Sequence, residues 1–134
     1  VCSQFANLTA RFCLDQGVGM IPWSPLARGV LSGKQESTTR QKTDKNIARM
    51  FGKADQNEEI VQRVRDIAEK REISCSQVAL AWLLSKPCVS APIVGISKRA
   101  YLEDAVAAIK VKLTQEEIKH LEEAYTPRRV SRHS

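Results

Sequence analysis

The stretch that decides the fold is Gly17–Lys34, which reads GVGMIPWSPLARGVLSGK. Met20-Ile21 lies between glycine and proline. A short apolar run flanked by these two residues is typical of the end of a buried strand. The run breaks at Trp23-Ser24-Pro25 and leads into a loop of small residues. Trp23 therefore follows a strand, next to a hydroxyl and backbone amides. An indole in this place serves either as a platform for a cofactor or as a side chain packed under the loop.

Helical spacing of apolar residues predicts helices on both sides of this stretch. Phe5, Leu8 and Phe12 predict a short helix that ends near Gly17. Downstream, a helix is predicted over 58–71, with Asn57 as its cap. Its inward face combines five apolar residues, namely Ile60, Val61, Val64, Ile67 and Ala68.

Two capping-box patterns predict the starts of two further helices. The first is Ser74–Gln77, which opens a helix through Leu84 that is apolar all round and should be deeply packed. Pro87 marks its end. The second is Thr114–Glu117, which opens a helix through about Tyr125 with Ile118 and Leu121 inward.

A second strand is predicted over 89–94, although Pro92 is unusual in a central strand because it cannot donate to the ladder. Residues 95–98 form the turn after it. One face of the next helix is apolar, through Leu102, Ala105, Val106 and Ile109. The order helix, strand, helix, helix, strand, helix, helix predicts an α/β fold with parallel strands.

The positive charge of the chain is concentrated in two segments. The net charge is +6, and between Lys34 and Lys53 there are six cations and two anions. We interpret 35–56 as a long basic loop with a helical turn around Asn46–Phe51, and 127–134 as a basic tail. Such a loop suits an anionic cofactor or is simply a solvated segment.

The four cysteines stand at irregular spacing, and the two histidines are far from them. This pattern argues against a metal site and against a disulfide framework, and it favours free thiols in the cytoplasm. No apolar stretch is long enough for membrane insertion.

The residues Ile21–Gly29, IPWSPLARG, resemble the motif at the seventh strand of the aldo-keto reductases, most closely in the branch of the aryl-alcohol dehydrogenases and potassium-channel β subunits. The residues Ala91–Arg99, APIVGISKR, followed by Leu102–Val106, resemble the eighth strand and the next helix. The resemblance implies the C-terminal part of a (β/α)8 TIM barrel, strands 7 and 8 with their helices, because a whole barrel needs about 250 residues and the chain has 134. Residues 1–134 are then one partial domain.

The resemblance implies an NADP(H)-dependent oxidoreductase that reduces a small-molecule aldehyde or ketone. Trp23 matches the residue that stacks on the nicotinamide, and Gly95 and Ser97 match the turn after the last strand. Lys98 or Arg99 would pair with the 2′-phosphate. Asp104 stands where the family has Glu near the adenine ribose, and Ala105 replaces the Asn beside it. The cofactor-binding candidates are Trp23, Ser24, Pro25, Leu26, Ala27, Arg28, Lys34, Gly95, Ser97, Lys98, Arg99, Tyr101 and Asp104.

The family's catalytic Tyr, Lys, Asp and His follow earlier strands, and no residue here matches them. We therefore predict that the 134-residue fragment has no catalytic residue and no reductase activity, and that it self-associates through exposed apolar faces. An alternative within the same fold is a non-catalytic nucleotide-binding or channel-associated subunit.

A remote alternative is a helix-turn-helix protein over 58–86, since the chain is basic. Its recognition helix would be Gln77–Leu84, which is mostly apolar and offers little to base edges. We therefore expect no specific nucleic-acid binding.

Overall fold

The computed structural model describes residues 4–33 and 54–125, with side chains described over 9–33 and 58–125. Its elements are five α-helices and two 3-10 helices: α1 (Gln4–Asp15), η1 (Ala27–Ser32), α2 (Ala54–Arg71), α3 (Cys75–Leu84), α4 (Arg99–Ala107), η2 (Ala108–Lys110) and α5 (Gln115–Glu123). Lys34, the turn predicted at Asn46–Phe51, residues 35–53 of the predicted basic loop and the tail 127–134 lie outside the described residues.

The core lies between α2, α3 and α5. Val64, Ile67 and Ala68 of α2 meet Val78 of α3 and Leu121 of α5, and all five are buried. The predicted inward face of α2 is confirmed at these three positions. The deep packing predicted for α3 is also confirmed, since the four consecutive residues Val78–Ala81 are each at most 5% exposed. A helix buried in this way has no polar face for base edges, which argues against the helix-turn-helix alternative.

The helix starts depend on local hydrogen bonds. Thr114 caps α5 in a complete capping box, in which its hydroxyl accepts from the Glu117 amide and the Glu117 carboxylate accepts from the Thr114 amide. Ser74 caps α3 by accepting from the Gln77 amide at 3.0 Å. Here only the serine half of the predicted box is present, because the Gln77 side chain donates to Asp104 instead. The cap predicted at Asn57 is wrong, since α2 begins earlier, at Ala54.

The two predicted strands are present only as two isolated parallel bridges, Met20 with Val89 and Trp23 with Ile93. The Met20 amide donates to the Cys88 carbonyl, and the Ser90 amide donates to the Met20 carbonyl, at 2.7 and 2.9 Å. The parallel direction is therefore confirmed, but strands over these ranges are not formed. Each segment carries a proline, which cannot donate to a ladder.

The register changes between the two bridges. Trp23 lies three positions after Met20, whereas Ile93 lies four positions after Val89, so the second segment holds one extra residue. An extra residue interrupts a ladder and bends the segment that holds it. Gly19 permits the close approach of the two segments, because a methyl group there would overlap Ser90 Oγ.

The apolar face predicted for the helix after the second turn is largely exposed, although its Ala105 is half-buried. Leu102, Val106 and Ile109 are 47%, 51% and 63% exposed, and the helix instead continues into η2, where Ala108 is 1% exposed. Periodicity identified an apolar stripe correctly but could not show what covers it, and no described residue does. Phe12 on α1 is likewise 65% exposed.

Candidate functional site

Trp23 ends the first paired segment and is 57% exposed. The described part of the chain therefore does not pack it under the following loop, which was the alternative left open by the sequence. Its parallel bridge to Ile93 places Gly95 two residues beyond the paired position. Because the segments run in the same direction, the loop after Trp23 and the turn after Ile93 leave the pairing on the same side.

The backbone of the loop after Trp23 is strongly curved. Ser24, Ala27 and Arg28 adopt positive φ angles of 48°, 49° and 57°, and Gly29 follows with 98°. Left-handed conformations are uncommon for residues with a side chain, and several within six positions are typical of functional loops. Alternation between right-handed and left-handed residues also makes concavities of N–H groups that bind anions.

Part of this loop is held by its own hydrogen bonds. The Ala27 amide donates to the Ser24 carbonyl and the Gly29 amide donates to the Leu26 carbonyl, each at 2.9 Å. These two amides are already engaged within the loop. Ala27 is buried, and Leu31 packs against the core cluster, which fixes the loop to α2 and α3. The loop is thus anchored at its far end, while Ser24, Pro25 and Leu26 are half-buried.

The second loop is open. Gly95, Ser97 and Lys98 are exposed. A methyl group built on Gly95 meets no described atom within 4 Å, and its φ is not left-handed. Neither backbone conformation nor packing of the described residues therefore requires glycine at this position. Free space at Gly95 leaves room for close approach of a ligand.

The cations of the second loop are accessible but not isolated. Lys98 precedes α4, and its Nζ lies 5.9 Å from the centre of the Tyr101 ring. Arg99 donates to Glu103 at 2.8 Å across one helical turn, and the side chains are 89% and 63% exposed. Such exposed pairs contribute little to stability and exchange readily with other anions.

Asp104 faces the interior of the protein. One carboxylate oxygen accepts from Ser74 Oγ at 2.8 Å and from Gln77 Nε2 at 2.7 Å, and the other accepts from Ser74 Oγ at 2.7 Å. The sequence singled out Ser74 and Gln77 only as a helix start. Their link to Asp104 was missed, because no spacing rule connects residues about thirty positions apart.

A further ion pair lies away from these loops. Arg71 donates twice to Glu117, at 2.6 Å each, and joins the end of α2 to the start of α5. This contact lowers the pKa of Glu117 from 4.5 to about 2, chiefly through the hydrogen bonds from Arg71. Burial raises the pKa of the Cys75 thiol, which packs against Gly33 at the end of η1. The pair of Arg71 and Glu117 holds two helices together and is not part of the candidate site.

The aldo/keto reductase family model matches residues 3–126. This chain belongs to the aldo/keto reductase family. It is 44% identical to the versiconal hemiacetal acetate reductase of Aspergillus parasiticus, over 94% of this chain and 40% of that protein. A Schizosaccharomyces pombe relative whose name places it among the aryl-alcohol dehydrogenases is 46% identical, over 87% of this chain and 33% of that protein. The predicted family is confirmed.

A solved structure agrees with this assignment. The crystal structure of a thermostable aldo-keto reductase in complex with the inhibitor epalrestat is similar with a TM-score of 0.61 and 28% identity, over 87% of this chain and 33% of that one. The chain thus spans about a third to two fifths of the length of the relatives it matches.

None of the described helices is both long and apolar enough to cross a bilayer. Within 4–33 and 54–125, no group of three or more His, Cys, Asp or Glu residues is placed to hold a metal ion. The cysteines described, Cys13, Cys75 and Cys88, are free thiols.

Proposed function

We propose that this chain forms the NADP(H)-binding rim of an oxidoreductase that converts aldehydes or ketones to alcohols, built from the last two β/α units of the family barrel. The parallel bridge between Trp23 and Ile93 carries the proposal, because it brings two loops to the same side of the paired segments. In a whole barrel, that side is the mouth at which active sites lie. The proposed location is the cytoplasm, where free thiols persist.

The residues present fit a dinucleotide. The exposed indole of Trp23 offers a flat face to a nicotinamide ring. The curved backbone at Ser24 and Leu26 offers N–H groups to a pyrophosphate, since Pro25 has none and the Ala27 amide donates within the loop. Gly95 leaves room beside it. Lys98 and Arg99 supply positive charge for a 2′-phosphate, which favours NADP over NAD. When bound, the cofactor supplies the hydride.

The chemistry of the whole enzyme needs a proton donor for the carbonyl oxygen. Tyr101 and Tyr125 do not match the family's catalytic tyrosine, and His120 and His133 do not match its histidine. We therefore expect the 134-residue chain alone to bind the cofactor without turnover. An assay of NADPH oxidation with an aromatic aldehyde tests this expectation, and a rate above the blank would refute it.

The binding proposal is tested by titrating the chain with NADPH and NADH by calorimetry. Exchanging Lys98 and Arg99 together for alanine should weaken NADPH binding by about 10- to 100-fold, because two charged contacts to the 2′-phosphate are lost. NADH, which lacks this phosphate, should be little affected. Trp23→Ala should weaken the binding of both NADPH and NADH.

The matched control exchanges Lys110 and Lys112 for alanine. Both are exposed, and their removal lowers the net charge by the same two units. If both double variants lost the same affinity for NADPH, the loss would come from the general electrostatic attraction of the chain and not from contacts to the 2′-phosphate. Absence of NADPH binding by the unmodified chain would overturn the proposed function itself.

A further inference from the structure

Asp104 stands at the position that the family resemblance assigns to the adenine ribose, yet its carboxylate is occupied within the protein. Ser74 and Gln77 both donate to it, at 2.7–2.8 Å. Both oxygens are therefore directed toward the start of α3. The side chain is half-buried, whereas the neighbouring Glu103 on the same helix is exposed.

The contact forms a closed ring of hydrogen bonds. The backbone amide of Gln77 donates to Ser74 Oγ, and the Ser74 hydroxyl donates to the Asp104 carboxylate. The side-chain amide of Gln77 donates to the same carboxylate. Ser74 is the N-cap of α3 and Gln77 lies in its first turn. A negative charge at a helix N-terminus is favourable, so the carboxylate is well placed where it is.

The ring joins two helices with different roles in the site. α3 belongs to the buried core, through Val78. α4 begins at Arg99 and follows directly on Ser97 and Lys98. The outward face of α4 is not covered by any described residue, as the exposure of Leu102 and Val106 shows. Beyond its end, α4 is held to the core through η2, where Ala108 is buried against α3. The ring links α4 to α3 closer along the chain to the second loop than Ala108 does, so we expect it to influence the orientation of that loop.

We propose that Asp104 is a positioning residue, which fixes Lys98 and Arg99 for the 2′-phosphate through Ser74 and Gln77, and does not itself contact the nucleotide. This inference rests on the proposed function. It departs from the direct ribose contact that the resemblance implies for this position. Ser74 and Gln77 become determinants of cofactor choice, although neither lies in the two loops.

The two roles predict opposite effects. A carboxylate that contacts the ribose accepts from the 2′-hydroxyl and repels a 2′-phosphate. Removing such a carboxylate would weaken the binding of 5′-ADP and strengthen the binding of 2′,5′-ADP. A carboxylate that only positions the cations neither contacts the ribose nor repels the phosphate. Its removal should therefore weaken the binding of 2′,5′-ADP by about tenfold and leave the binding of 5′-ADP unchanged.

The experiment measures calorimetric dissociation constants of the 134-residue chain for 2′,5′-ADP and 5′-ADP. The variants are Asp104→Ala, Ser74→Ala and Gln77→Ala, with Glu116→Gln as a control that removes one exposed negative charge elsewhere. We expect the first three to lose affinity for 2′,5′-ADP alone, and the double variant of Asp104 and Ser74 to lose no more than Asp104→Ala. Asp104→Asn keeps one acceptor oxygen and should recover part of the loss.

Amide hydrogen exchange of the first turn of α4, without ligand, supplies the second measurement. Faster exchange in all three variants supports the tie between the helices. A loss of 5′-ADP affinity on Asp104→Ala, or unchanged 2′,5′-ADP binding in all three variants, would overturn the inference while leaving the proposed function intact. If the unmodified chain binds neither nucleotide, the proposed function fails and this inference fails with it.

Discussion

At the scale of single residues, the pair between Arg71 and Glu117 gives the chain a defined response to pH. The Arg71 hydrogen bonds lower the pKa of Glu117 to about 2. A carboxyl group with a lowered pKa in the folded state stabilises the fold fully above its ordinary pKa of 4.5, and this contribution is lost as the pH falls toward 2. We expect Glu117→Gln to lower the free energy of unfolding at pH 7 by about 1–2 kcal/mol.

The measurement is urea denaturation followed by circular dichroism between pH 3 and pH 7. Glu116→Gln is the matched control, since Glu116 lies in the same first turn of α5 and is exposed. The stability difference between the two variants should shrink as the pH is lowered below 4.5. A difference that is absent at pH 7, or constant over the whole range, would contradict the role given to the pair.

At the scale of the secondary-structure elements, the start of α5 depends on Thr114. Its hydroxyl accepts from the Glu117 amide at 3.2 Å and completes a capping box. Thr114→Ala should therefore lower the free energy of unfolding by about 1 kcal/mol. Thr114→Ser keeps the hydroxyl and should be nearly neutral, as should Gln115→Ala at the adjacent exposed position. Equal stability of the alanine and serine variants at Thr114, again by urea denaturation, would refute the cap.

Helix starts were the most predictable elements because their signals are local. Ser74 and Thr114 satisfy amides only three residues away, so their spacing alone indicates the cap. Asn57 shows the limit of such reasoning: its residue type suits a cap, but α2 already includes it. Propensity at one position does not stop a helix from extending by another turn.

The pairing of the two extended segments was predictable in direction but not in detail. Glycine and proline punctuation indicated where the segments end, and the order of elements indicated parallel pairing. The single bridges and the extra residue between Val89 and Ile93 depend on contacts between distant segments. The spacing of apolar residues within either segment cannot predict such contacts.

At the scale of the whole molecule, sequence motifs located the candidate site, whereas side-chain direction required the structure. The motifs around Trp23 and Gly95 are short and contiguous, so they could be recognised without coordinates. Asp104 belongs to the second of these motifs, but its direction is set by Ser74 and Gln77 on another helix. The role of each of these residues in binding stays a prediction.

The exposed apolar surface of α4 leads to a prediction about the 134-residue chain as a whole. Leu102 and Val106 of α4, together with Ile109 of η2, are about half exposed or more. An apolar patch of this kind favours association, because burial removes it from water.

We expect sedimentation velocity to show self-association that grows with protein concentration. Replacing Val106 and Ile109 by lysine should shift the distribution toward monomer, whereas two lysines at the polar exposed positions Gln115 and Glu116 should shift it less. Because both double variants add positive charge, a larger effect of the α4 variant isolates the apolar contribution. A monomeric unmodified chain, or equal shifts in both variants, would show that this surface does not drive association.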